Sequence, residues 1–233
     1  GRVAVIVTNS GAAFGDYTGI LSAYGGIEGG RGAAGTVYKQ AAAQTSGHGT
    51  LVIDNRGTAT EGGVHTLMPT AVNLGDFAEV IVTNKGNLAV DGDDTLDFST
   101  LNLRGAGAAS SRVTIVNPAG VTFPNPFTIS NYTLAVDGLT SVTGNWVIAS
   151  NGGLSHSDNT YNETYKINLT INGSLAVESN GTIHVDALGY DARNGPGRAT
   201  NNFDGGGYGG FGGFVSVGGP SSATYGSILA PTN

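Results

Sequence analysis

The sequence predicts an all-β chain wound into a parallel β-helix (β-solenoid) with a glycine-rich C-terminal segment, and three observations carry that expectation. Apolar and polar residues alternate through Lys166-Ile167-Asn168-Leu169-Thr170-Ile171-Asn172, and the alternation resumes after Gly173 in Ser174-Leu175-Ala176-Val177. Period-2 alternation marks strands with one buried and one wet face. Turn residues return at Asn172-Gly173 and Asn180-Gly181, eight positions apart (180 − 172), so the strands are very short. Finally, Leu88-Ala89-Val90-Asp91-Gly92 recurs as Leu134-Ala135-Val136-Asp137-Gly138 and, altered, as Leu175-Ala176-Val177-Glu178-Ser179. The offsets are 46 (134 − 88) and 41 (175 − 134) residues, about two coils if each coil takes roughly 20–25 residues. The competing architecture is a sandwich of hairpins, because Asn-Gly also marks type I′ turns. The recurring Leu-Ala-Val phrase favours stacked coils.

Composition supports the class. The chain has 233 residues, of which 40 are Gly, 39% are apolar and only 12% are charged. It is too apolar for a disordered chain and too rich in glycine for a helical one. Tyr38-Lys39-Gln40-Ala41-Ala42-Ala43-Gln44 is the one stretch with the makings of a helical turn or two. The net charge of −7 and the lack of a basic patch argue against nucleic acid as a partner. No run of about 20 apolar residues is present, so membrane insertion is not expected. The absence of cysteine excludes disulfides and thiolate metal sites.

In chain order, strand phrases are expected at Val3–Thr8, 19–24, 35–38 and 50–54, with glycine between them. Residues 55–77 are looser and carry the chain to a new coil. From Glu79 the rhythm is regular: Val80–Val82, Leu88–Val90, Leu96–Phe98 with Leu101 and Leu103, and Val113–Val116. Asn84-Lys85-Gly86 and Asp91-Gly92 punctuate it. The expected organisation is a single domain, 1–233, with less regular coils over 1–77, regular coils over 78–187 and a glycine-rich segment over 188–233. Stacking would align inward Leu and Val in ladders, each buried side chain contributing about 1.5–3 kcal/mol. Outward positions such as Asn168 and Thr170 need only tolerate water. The glycine tract from Asp204 to Phe214 is punctuated by Tyr208, Phe211 and Phe214. The chain opens directly on a strand phrase and ends on Ala230-Pro231-Thr232-Asn233, as expected of a piece of something longer.

Three stretches resemble a glycine-rich repeat of very large secreted bacterial proteins with right-handed β-helix folds. They are Gly35-Thr36-Val37-Tyr38 leading to Leu51-Val52-Ile53-Asp54-Asn55, Ser174-Leu175-Ala176-Val177 through Ile183-His184-Val185-Asp186-Ala187-Leu188-Gly189-Tyr190, and Thr224-Tyr225-Gly226-Ser227-Ile228-Leu229-Ala230-Pro231-Thr232. The resemblance implies a right-handed solenoid at the cell surface or outside the cell, inside a tandem array. With it comes the expected role: a structural or adhesive, non-enzymatic module of a surface fibre or filament. Solenoid ends carry unpaired strand edges, and neither end of this chain shows a polar cap. The expected partners are therefore other copies or flanking repeats stacked end-on. The alternative is a β-helix that binds or cleaves polysaccharide.

Candidate sites are few. Asn131, Asn162, Asn168, Asn172 and Asn180 each begin an Asn-x-Ser/Thr sequon, the acceptor pattern for N-glycans on exposed backbone. The same residue types also populate wet strand faces. Asp91, Asp93, Asp94 and Asp97 put four carboxylates within seven residues, which suits Ca²⁺ or an acidic solvated corner. No other cofactor is indicated. Asp93-Asp94 and Gly47-His48-Gly49 share residue types with polygalacturonase-type β-helix hydrolases. Their order is reversed, however, and the family's basic clamp and Asn-Thr-Asp phrase are missing, so no catalytic residue is expected. Ser155-His156-Ser157-Asp158 holds triad residue types without triad geometry. Trp146, Tyr208 and Phe211 are of the type that stacks on sugar rings, but core packing is the commoner use.

Overall fold

The computed structural model describes residues 1–69, 72–91, 95–106, 110–116, 120–191 and 193–199. Within these, the chain forms strands and one short 3₁₀ turn, and the strands, one antiparallel pair excepted, stack in parallel as a β-solenoid of about five turns. The chain divides into two compact units. One comprises Gly1–Ser157 with Lys166–His184, the other Asp158–Tyr165 with Val185–Asn233.

The first unit opens with β1 (Arg2–Ile6) and β2 (Thr36–Gln40), which pair in parallel. Winding begins with β3 (Thr50–Asp54) and β4 (Thr66–Met68), then the 3₁₀ turn Leu74–Asp76, whose start is capped by Asn73 Oδ1 accepting from Gly75 N–H at 3.0 Å. Each later coil contributes three strands. They are β5 (Glu79–Thr83), β6 (Asn87–Asp91) and β7 (Thr95–Asp97); β8 (Leu103–Ala106), β9 (Ser111–Val116) and β10 (Gly120–Thr122); β11 (Phe127–Ile129), β12 (Tyr132–Asp137) and β13 (Ser141–Thr143); β14 (Trp146–Ile148), β15 (Gly153–Ser155) and β16 (Thr170–Asn172). A last partial coil carries β17 (Leu175–Val177) and β18 (Thr182–Ile183).

These strands build three faces. The first contains β1-β2-β3-β5-β8 and then β11-β14-β17; the second β4-β6-β9-β12-β15-β18; the third β7-β10 and then β13-β16. Registers on the second face confirm the stacking period. Leu88 pairs with Val113, 25 residues on, and Val113 with Leu134, 21 further on. The first two Leu-Ala-Val phrases therefore do lie two coils apart on one face. The third does not. Leu175 pairs with Trp146 on the first face, so that likeness reflects a shared strand composition rather than a shared register.

Inward ladders fill the interior. Leu88, Val113, Leu134 and Leu154 form one, and Val90, Ile115 and Val136 the next. The centre is aromatic: Phe98, Phe123, Phe127 and Trp146 come from successive coils. Phe123 stands 4.5 Å from Phe127, and both rings stand 5.0 Å from Trp146 between centroids, with the indole edge-on to each. This is the geometry the ring quadrupole favours. Among the described residues, the cavity between Leu74, Phe98, Phe123 and Leu134 is only about 10 Å³ and apolar. That is at the limit for one water, so the cavity is dry.

Several expectations are corrected. β2 and β3 are antiparallel, with Tyr38 opposite Leu51, so the chain reverses in a hairpin between them, and β1 and β2, parallel to each other, run opposite to the coils that follow. Of the candidate helical stretch 38–44, residues 38–40 are strand, with Tyr38 on the inner side beside Leu51 and Ala4, and residues 41–44 are turn. Residues 19–24 are not strand; glycine on either side and no ladder partner leave them as irregular chain. Outward positions are wet on β16 but not on the second face. There Ala89, Thr114, Ala135, Asp137 and Ser155 are all buried.

Candidate functional site: the uncovered final coil

The corners that shape the coils also shape the ends. Asn84, Asn131, Asn151 and Asn180 all adopt the left-handed conformation, φ 49 to 63°, which Asn tolerates better than branched residues. In three of these corners a glycine follows and closes the turn: Gly86, Gly152 and Gly181 N–H donate to Thr83, Ala149 and Glu178 carbonyls at 2.8, 2.8 and 2.9 Å. A Cβ on those glycines would fall 2.4, 2.1 and 2.5 Å from the carbonyl oxygens of Ile53, Ile129 and Ile148, one coil below. The Asn-Gly phrases are therefore corners of close approach, not hairpins. At the next corner Asn125 Oδ1 accepts Asn145 N–H, and Asn145 Oδ1 accepts Ser174 N–H, both at 3.0 Å. The last three coils are thereby stitched each to the one before it.

Among the described residues, this stitching delivers the ladders intact to β17 and β18, and no further coil strand follows. Trp146, Ile148 and Leu154 are 0–2% exposed, yet their register partners Leu175, Val177 and Ile183 are 42%, 48% and 47% exposed. These are inward-ladder residues with no coil above them in their own unit. At the other end, β1 and β4 are the edge strands. They flank a cleft of about 620 Å³ lined by Tyr38, Leu51, Met68, Val72 and Phe77.

The predicted site residues fall as follows. Asn131, Asn162, Asn168, Asn172 and Asn180 are all exposed. Asn131 and Asn180 share the left-handed corner with Asn151 between them: Asn151 Nδ2 donates to Asn131 Oδ1 at 3.4 Å, and Asn151 N–H to the Asn180 carbonyl at 3.2 Å. Asn168 and Asn172 alternate outward while Ile167, Leu169 and Ile171 pack on the core. Asn162 lies in the second unit, where buried Asn159 organises the loop by accepting from Thr164 and Tyr165 N–H at 2.7 and 2.8 Å. Of the acidic group, Asp93 and Asp94 lie outside the described residues and Asp91 is described only as the end of β6. Asp97 is exposed and accepts from Ser99 N–H at 3.0 Å, which holds its carboxyl below the usual carboxylate range. Among the described residues no cluster of three or more His, Asp or Glu is placed to hold a metal.

Gly47-His48-Gly49 is the β2–β3 connection. Gly47 and Gly49 N–H donate to Gln40 Oε1 and Tyr38 Oη, each at 2.9 Å, and a Cβ on Gly49 would meet the Lys39 carbonyl at 2.3 Å. Trp146 is core. Tyr208, Phe211 and Phe214 lie outside the described residues. His156 Nδ1 lies 2.6 Å from the Ser157 carbonyl rather than aiming at a serine hydroxyl, so no triad forms.

Sequence reasoning missed a polar knot where β15 leaves the second face. Arg112 Nη2 donates to the His156 carbonyl at 2.9 Å and to Ser157 Oγ at 3.3 Å, and Asp137 Oδ1 accepts from Ser157 N–H at 2.7 Å. Burial lowers the Arg112 pKa and nearby Asp137 opposes that shift. The only signal was the aspartate that ends the repeated Leu-Ala-Val-Asp phrase. Its hydrogen-bond partner Ser157 lies 20 residues downstream, one coil away.

No family model, no curated protein and no solved structure matches this chain.

Proposed function

We propose that this chain is a non-enzymatic structural module of an extracellular or cell-surface assembly, in which copies or flanking repeats stack end-on. One observation carries the reading: Leu175, Val177 and Ile183 continue buried ladders and yet stand exposed. A monomer gains nothing from three aligned aliphatic side chains in water, whereas another coil laid over them would bury each for about 1.5–3 kcal/mol. The apolar cleft between β1 and β4 gives the opposite end a surface of matching character. Two unlike surfaces meeting head to tail make an open-ended filament rather than a closed ring when the rotation does not close. The resemblance to secreted repeat proteins agrees with this role, and the five exposed sequons suit a surface that carries glycans.

Sedimentation velocity and negative-stain microscopy test it. The wild-type protein should form end-to-end oligomers that lengthen with concentration. Leu175→Asp with Val177→Asp should leave monomers of unchanged far-UV spectrum. A wild-type protein that stays monomeric at millimolar concentration would overturn the proposal.

A further inference from the structure

The outer side of the first face carries a groove that stacking does not explain. Residues 12–25 form a strap across β2 and β3, and the strap is fastened at both ends. The Ala12 carbonyl accepts from Ala42 N–H at 3.0 Å, and the Ala23 carbonyl from Gly35 N–H at 2.6 Å. Gly25 N–H donates to Oδ1 of Asn55 at 3.0 Å, and that side chain is 2% exposed and also donates to the Gly32 and Thr58 carbonyls. Between strap and sheet lies a groove of about 300 Å³ lined by Phe14, Tyr17, Tyr24, Lys39, Val52 and Asp54. That volume sits at the lower end of the range for small-ligand sites, about 300–1,000 Å³.

Its chemistry is specific. Tyr17 and Tyr24 are 48% and 38% exposed, and Ile20 at the rim is 80% exposed. Phe14 meets Tyr17 edge-on at 6.2 Å. Two cations are parked on these rings: Lys39 Nζ lies 5.8 Å from the Phe14 centroid and the Arg56 guanidinium 5.8 Å from that of Tyr24. Neither takes part in a salt bridge among the described residues. The one carboxylate, Asp54, already accepts from Arg56 N–H and Asn84 Nδ2 through Oδ1. In a chain of net charge −7, the groove thus sets one cation, Lys39, against a carboxylate already held by hydrogen bonds, with Arg56 at its margin over Tyr24, beside wet aromatic rings.

The geometry points to a binding site for a saccharide residue that bears a carboxylate. The flat C–H face of a pyranose packs against Tyr17 and Tyr24, while the phenol hydroxyls and the second Asp54 oxygen bond ring hydroxyls. The sugar carboxylate pairs with Lys39. Fastening the strap beforehand removes most of the ordering cost of binding. This site is independent of the end-on contact.

The test titrates a β-1,4-linked glucuronate disaccharide and its methyl ester into the whole chain, read by calorimetry and by saturation-transfer NMR. The acid should bind about tenfold more tightly than the ester, as one desolvated charge-assisted contact provides. Tyr17→Ala and Tyr24→Ala should each weaken the acid about tenfold or more, as loss of an aromatic anchor does. Lys39→Gln should make acid and ester equal, with the far-UV spectrum of all three variants unchanged. Absence of binding to either sugar at about 10 mM would overturn the proposal. So would equal affinity for acid and ester in the wild type, or affinities that the three substitutions leave unmoved.

Discussion

At the residue scale, the corner glycines show how little freedom the winding leaves. Gly152 has no left-handed requirement of its own; what excludes a side chain is the Ile129 carbonyl, 2.1 Å from where a Cβ would stand. Gly152→Ala should therefore cost about 1–3 kcal/mol or more, as overpacking does, seen as a lower urea midpoint. Gly62→Ala, where nothing lies within 4 Å of the added carbon, should move the midpoint little. Its neighbour in the corner behaves oppositely: Asn151, at φ 57°, should accept Gly at no loss, whereas Asn151→Val should cost about 1–2 kcal/mol, since a branched side chain resists the left-handed conformation. Tyr132 supplies a pH dependence. Its ring is 1% exposed, and burial pushes its phenol far above the ordinary tyrosine value of about 10. The sign follows from proton binding: above about pH 10 the unfolded chain loses this proton while the folded chain keeps it, so stability falls as pH rises. Tyr132→Phe should flatten the alkaline limb of the stability curve between about pH 10 and 12, read by urea denaturation at each pH, and should change little at pH 7.

At the scale of elements, the aromatic cluster ties β11 and β14 to the coils beneath. Trp146 is fully buried and its Nε1 has no hydrogen-bond partner among the described residues, so its contribution there is packing alone. Trp146→Ala should cost about 3–5 kcal/mol. Trp146→Phe should cost much less, because it keeps a ring in the cluster and removes the unsatisfied N–H; thermal unfolding distinguishes the two. Asn55 holds the strap in the same decisive way. With three hydrogen bonds to residues 25, 32 and 58 at 2% exposure, its loss to Ala leaves buried backbone groups unpaired at about 1–3 kcal/mol, and amide exchange should accelerate first over residues 12–34.

At the scale of the coil stack, each coil touches only its neighbours, so stability should decay toward the ends. Amides of β9 and β12, paired on both sides, should exchange most slowly. Those of β17 and β18, which lie at the end of the stack and among the described residues pair on one side only, should exchange faster than those of β9 and β12. Concentrating the protein into end-on assemblies should slow β17 and β18 selectively, which ties the exchange pattern to the proposed contact.

The sequence by itself determined the class of fold, the coil period and the placement of the core. Short strands with period-2 burial need a partner above and below, and a phrase repeated two coils apart marks the register of Leu88 and Leu134. It also put Asn168 and Asn172 on the outward side of their strand, because they alternate against inward Leu169 and Ile171. What only the tertiary structure decided is everything that depends on which residues meet across coils. The hairpin of β2 with β3 has the same local pattern as a coil and differs only in its partner. The third Leu-Ala-Val phrase moved to another face because a longer excursion between β15 and β16 reset the count. Arg112 found Ser157, and the strap found Asn55, across separations that leave no periodic trace. Alternation encodes which side of a strand is apolar; it does not encode what that side, or the other one, will be laid against.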